Sequence, residues 1–191
     1  RPVAVGRDDG SRHGVVLAKN EAAKKFGVKT AETIWQARRK CPELVLLPPH
    51  HEKYRAMSAR INRIYGEYTD LVELFSVDES WLDVTGSLHL FASSGGELAD
   101  LLRARVRREL GITISVGVSF NKVFAKLGSD YKKPDATTLI PRGRVAEILW
   151  PLPVENMLFV GGAAAARLRG LGICTIGDLA AADEQLLVEV L

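Results

Sequence analysis

The chain has 191 residues, 47% of them hydrophobic and 26% charged, with a formal net charge of +3. That length holds one large domain or two small ones, and the composition is globular, not disordered. No apolar run approaches the roughly 20 residues needed to span a bilayer, and the N-terminus lacks a signal-peptide pattern, so a soluble, cytoplasmic protein with no membrane partner is expected.

Pro2 to Gly6 and Gly14 to Ala18 are short apolar runs joined by the polar turn Arg7 to Arg12, a hairpin pattern. Asn20 is placed to cap a helix from Glu21 to Phe26 that Gly27 ends. Thr30 is placed to cap a second from Ala31 to Lys40, stopped by Cys41-Pro42. Leu44 to Leu47 reads as a brief strand. Cys41 and Cys174 are expected to be buried thiols, since neither has metal-ligand or disulfide-framework spacing. The histidines His13, His50, His51 and His89 form no spaced cluster, and His50-His51 beside Pro48-Pro49 reads as a surface loop. Residues 1–70 hold 14 Lys and Arg against 8 Asp and Glu. A basic excess of this kind suits a polyanionic partner, though solvated helix lysines give the same count.

From Glu52 to Tyr68 the positions Tyr54, Met57, Ile61, Ile64 and Tyr68 recur at threes and fours, the mark of an amphipathic helix. Then comes the most unusual segment, with strand-like Val72 to Val77 and Trp81 to Val84 on either side of Asp78-Glu79. Adjacent carboxylates between apolar runs repel each other and lose hydration, so a compensating cation is expected. Magnesium is the simplest, because it takes one or two carboxylates plus substrate phosphates. A solvated turn is the alternative.

Gly96 to Glu109 is a second amphipathic helix closed by Gly111, followed by a strand from Thr113 to Val118, a helix from Asn121 to Ser129 and a strand from Thr137 to Ile140. This order describes an α+β layer with an antiparallel sheet covered on one face. After Pro151-Leu-Pro153 the chain becomes alanine- and leucine-rich. It reads as short helices at Ala163 to Arg169, Ile176 to Ala181 and Glu184 onward, around Gly170-Leu-Gly-Ile-Cys-Thr-Ile-Gly177. Such a glycine-bounded pair suits a helix-hairpin-helix, whose loop amides hold a DNA phosphate without reading sequence, or a plain helical hairpin.

Four motifs carry a resemblance: Ser76-Val-Asp-Glu-Ser-Trp-Leu-Asp-Val-Thr85, Gly117-Val-Ser-Phe-Asn-Lys-Val-Phe-Ala-Lys126, Ser129-Asp-Tyr-Lys-Lys-Pro-Asp135 and Lys24-Lys-Phe-Gly-Val28, with Thr175-Ile-Gly-Asp-Leu179 in the tail. Together they resemble the Y-family, or translesion, DNA polymerases, and within these the DNA polymerase IV type. The resemblance implies a ferredoxin-like palm with small fingers and an α-helical helix-hairpin-helix thumb. Residues 1–50 would be the fingers region, 51–145 the palm with the acidic hairpin, and 146–191 the thumb. It implies error-prone, template-directed DNA synthesis in repair, with primer-template DNA, dNTP and a replication sliding clamp as partners. Asp78 and Glu79 would hold two Mg2+ ions together with a third carboxylate from an opening strand that would lie before Arg1, so the chain alone is expected to be inactive. Lys24 and Lys133 would bind the nucleotide, and Gly161 and Gly162 the DNA.

The sequence departs from the family pattern in the fingers, where a tyrosine and an arginine are replaced by Glu21 and Lys24, and the neighbouring hydroxyl positions hold Leu17 and Ala18. In the tail, Phe159 stands where the first thumb glycine is usual. A non-catalytic DNA-binding repair scaffold is the competing reading. Retention of both acids argues against it, because a scaffold has no use for a desolvated carboxylate pair. An RNA-binding module would need aromatic residues on its sheet, and Thr113 to Val118 offers none.

Overall fold

The computed structural model describes residues 1–7 and 14–191, and the chain divides into two compact units, Arg1–Met57 and Ser58–Leu191. Residues 8–12 of the polar turn in the first hairpin, and His13, lie outside the described residues.

In the first unit, β1 (Val3–Gly6) pairs antiparallel with β2 (Val16–Lys19) and parallel with β3 (Val45–Leu47). Asn20 caps α1 (Glu21–Lys25): its side-chain oxygen accepts from the Ala23 amide at 2.9 Å and also from the Val3 amide at 3.0 Å. One side chain therefore starts the helix and ties it to β1. α2 (Ile34–Lys40) begins three residues later than the sequence suggests. The Thr33 hydroxyl, not that of Thr30, forms its capping box with Gln36. The reason is that the preceding backbone is already committed: Ala31 donates to the Val16 carbonyl, Val16 donates to that of Glu32, and Ala31 takes a φ of 67°. Ala4, Val16, Ala23, Ile34, Ala37 and Cys41 form the core. Cys41 is a buried thiol as expected, whereas Cys174, in the other unit, is exposed.

The second unit takes most of α3 (His51–Gly66), so His51 opens a helix instead of lying in a loop. β4 (Val72–Leu74) and β5 (Ser80–Leu82) form an antiparallel pair with Glu73 opposite Trp81. α4 (Gly95–Leu110), capped by Ser94 and ended by Gly111 at φ 70°, packs Leu98, Leu102 and Val106 with Ile64 and Tyr68, and Leu82 lies against that cluster. β6 (Val116–Ser119) and β7 (Thr137–Ile140) then pair in parallel through the crossover helix α5 (Lys122–Tyr131). The single antiparallel sheet expected from the sequence is thus corrected to two separate two-stranded ladders in this unit. A crossover that carries a helix returns the chain in the same direction, which only parallel pairing accepts.

Beyond β7 lie the short α6 (Val145–Ile148), α7 (Gly162–Gly170), α8 (Ile176–Ala181) and α9 (Glu184–Val190). Val154, Ala165, Leu168 and Ile173 form a core around α7, while Val145 and Ile148 of α6 and Ile176 of α8 pack with Leu127 of α5 and Ile140 of β7. The turn from α7 toward α8 passes through Gly172 at φ 81°, a left-handed value that glycine adopts without penalty. Among the described residues no helix is long and apolar enough to cross a membrane.

Candidate catalytic hairpin

The acidic pair occupies a turn, and the backbone explains why β4 stops at Leu74. The amides of Phe75 and Ser76 both donate to the Glu79 carbonyl, at 3.0 and 3.1 Å, which closes the loop around Val77 and Asp78. Asp78 is exposed, and its carboxylate accepts from the Ser76 hydroxyl at 2.8 Å. The Glu79 side chain is 30% exposed. The pair is therefore far less desolvated than its apolar flanks suggest, and the expected cost of burying it is corrected accordingly.

A cation does meet Glu79, and it is a side chain. The Lys126 ammonium on α5 lies 2.7 Å from Glu79 Oε1 and 2.5 Å from Asp130 Oδ2, and the Lys133 ammonium lies 2.6 Å from Asp130 Oδ1. Charges thus alternate from Glu79 through Lys126 and Asp130 to Lys133. The Lys126 side chain is only 15% exposed. Burial pulls its pKa down, but hydrogen bonds and charge from Asp130 and Glu79 outweigh this and hold it above the ordinary lysine value. For Asp130, burial pushes the pKa up, and Lys126 with Lys133 outweighs it and holds the carboxyl below its ordinary value.

α5 is aimed at the hairpin by two features of its N-terminal motif. Asn121 caps it, accepting from the Phe124 amide at 2.8 Å. The Lys122 carbonyl accepts from the Trp81 indole N–H at 3.0 Å, while the Lys122 ammonium pairs with Glu73 and lies 5.5 Å from the Trp81 ring centre. On the other side, the Ser80 hydroxyl donates to Asn62 of α3 at 2.7 Å. After α5, Arg103 grips Asp135, with 2.8 Å to Oδ1, and this fixes the segment that carries Lys133.

The structure therefore joins three of the sequence-predicted residues, Asp78, Glu79 and Lys133, in one constellation. Lys24 belongs to the other unit, where its ammonium lies 3.5 Å from Glu21 Oε1 on α1. Gly161 is the N-cap of α7 and Gly162 its first residue, with open space around both and no side-chain cap. The first amides of that helix have no intrahelical acceptor. Phe159, just before them, takes a φ of 69° and places its ring 6.2 Å from that of Phe75, which itself packs 4.5 Å from Trp81. Sequence reasoning missed roles for Lys126 and Asp130. Their spacing with Lys133, at i, i+4 and i+7, is the signal that could have found them.

Whether the residues suit a divalent metal follows from this donor set. Asp78 and Glu79 are hard oxygen donors at an open turn, and an ammonium already stands where a cation would sit against Glu79. The pair fits such an ion as two of its ligands. Among the described residues no group of three or more His, Cys, Asp and Glu side chains could hold one.

The sequence model of the impB/mucB/samB family matches residues 1–130. The chain belongs to this family. Among curated members, the DNA polymerase IV of Acetivibrio thermocellus is 51% identical over 191 residues, all of this chain and 48% of the relative. DNA polymerase IV 1 of Bacillus subtilis is 44% identical over the same length, 46% of that protein. This impB/mucB/samB chain thus spans about half the length of the curated relatives it matches. Among solved structures, DinB from Sulfolobus solfataricus superposes with a TM-score of 0.88 at 30% identity, covering 100% of this chain and 55% of that one. An insertion ternary complex of Dbh DNA polymerase gives 0.87 at 30% identity, with 100% and 56% covered. The α+β fold is that of the palm and fingers region of Y-family polymerases.

Proposed function

We propose that this chain carries the palm hairpin of a DNA polymerase, which in the full-length protein extends a primer 3′-hydroxyl with dNTP and copies damaged templates. The observation that supports this best is the open turn holding Asp78 and Glu79, linked through Lys126 and Asp130 to Lys133. In this reading residues 1–50 form the fingers, 51–145 a ferredoxin-like palm and 146–191 a helix-hairpin-helix thumb.

Asp78 and Glu79 would supply carboxylates to two Mg2+ ions. When bound, such ions activate the attacking hydroxyl and stabilise the leaving phosphate oxygens. Lys133 would exchange its contact with Asp130 for a phosphate of the incoming nucleotide, and Lys24 would offer a second point charge. Gly161, whose amide donates to the Phe159 carbonyl at 3.2 Å, and the Gly162 amide at the start of α7 would face a phosphate of primer-template DNA, a contact that positions without reading sequence.

The test is primer extension by the full-length protein with Asp78→Ala and Glu79→Ala. Loss of incorporation with DNA binding retained is the expected result. Undiminished extension overturns the reading, and DNA binding by the wild type without any metal-dependent incorporation makes it a scaffold.

A further inference from the structure

We propose that Lys126 is a placeholder cation, occupying Glu79 until a divalent ion arrives and then withdrawing onto Asp130. The inference rests on the reading of Asp78 and Glu79 as metal-binding carboxylates. It goes beyond that reading by assigning a positioning role to two residues of α5.

The geometry carries it. The Lys126 ammonium is shared between two carboxylates at nearly equal distance, 2.7 Å to Glu79 and 2.5 Å to Asp130. A lysine that served only to fasten α5 to the hairpin would need one partner. Here the second partner lies on the same helix, one turn further on, so the ammonium can leave Glu79 without becoming an unpaired charge in a half-buried position. A divalent ion on Asp78 and Glu79 would repel the ammonium, and Asp130 gives it somewhere to go. Asp130 is itself shared with Lys133 through its other oxygen. Departure of Lys133 toward a phosphate leaves Asp130 freer to take Lys126, and this couples the nucleotide seat to the metal seat by charge alone.

Two substitutions separate this role from a merely structural one, because they shift metal affinity in opposite directions. Lys126→Met removes the competitor from Glu79, and Asp130→Asn removes the refuge and confines the ammonium to Glu79. The readout is Mn2+ binding to the full-length protein without DNA or nucleotide, followed by electron paramagnetic resonance, with Asp78→Asn as the reference for the site. The expected result is affinity about tenfold tighter for Lys126→Met and about tenfold weaker for Asp130→Asn, with Lys126→Arg close to wild type.

A fastening role would instead lower thermal stability in both variants while leaving affinity unchanged or weakening it in both, and that pattern overturns the proposal. If Mn2+ binding depends on Asp78 yet ignores Lys126 and Asp130, the placeholder fails and the metal site stands. If wild-type binding is absent or indifferent to Asp78, the metal-site reading and the placeholder fail together.

Discussion

Gly117 in β6 lies so close beneath α5 that a Cβ there would come within 1.8 Å of the Ala125 carbonyl oxygen. No other residue type lets the helix descend this far onto the strand, and the descent sets the height at which the next residue, Lys126, meets the hairpin. Gly117→Ala must lift or tilt α5. The expected loss is about 3 kcal/mol of stability, read as a lower unfolding midpoint of the full-length protein, together with weakened primer extension. Wild-type stability would mean that α5 has room to move.

That contact also shows what was legible in the sequence. The glycine and the helix were readable from Gly117-Val-Ser-Phe-Asn, since Asn121 caps α5 by a local rule that operates within four residues. The same holds for Asn20, Gly111 and the helices around Gly172. The start of α2 was not readable, because Thr30 and Thr33 are both competent caps and the choice was made by β2, which claims the backbone of Ala31 and Glu32. The parallel pairing of β6 with β7 was not given by side-chain alternation, which is the same for either direction, but it was open to inference from the helix that lies between the two strands. The acidic pair stood out at once, but the pairing of Glu79 with Lys126 is a contact between residues far apart in the chain, which no local pattern encodes.

Asp178 predicts a pH dependence. Its carboxylate accepts from the backbone amides of Thr175 and Cys174 at 2.8 and 3.0 Å, while the Thr175 hydroxyl accepts from the Asp178 amide at 3.0 Å. The backbone and side-chain bonds to Thr175, then that to Cys174, hold its pKa below the ordinary value of 3.8. A carboxyl depressed in the folded state stabilises above its unfolded pKa, and that contribution is lost as pH falls through the lower folded value. Asp178→Asn should therefore be less stable than wild type at neutral pH, with the difference shrinking below about pH 3.8. A gap that stays constant into acid would show that the charge of Asp178 is irrelevant to the cap.

Phe159 is 84% exposed and holds a left-handed φ of 69°. A non-glycine residue pays about 1 kcal/mol for that conformation, and among the described residues the only ring contact of Phe159 is edge-on to Phe75 at 6.2 Å. Phe159→Gly is expected to raise stability by about 1 kcal/mol in denaturant titration of the full-length protein. Destabilisation of similar size would mean that the contact with Phe75 holds this segment in place.

Glu21 and Lys24, at the positions where the sequence resemblance leads one to expect a tyrosine and an arginine, form an exposed ion pair at 3.5 Å. If α1 faces a triphosphate, this pairing weakens its grip twice. Lysine offers a point charge where arginine offers a bidentate fork, and Glu21 places a negative charge beside the phosphate while competing for the ammonium. Lys24→Arg should lower the KM for dNTP about threefold in the full-length protein, and Glu21→Gln should move it the same way. In both variants kcat should change little, because the added attraction acts on the bound nucleotide before and during reaction alike. Steady-state incorporation of a single nucleotide measures both constants. A KM that neither substitution moves would remove α1 from the nucleotide site and leave Lys133 as the lysine to examine there.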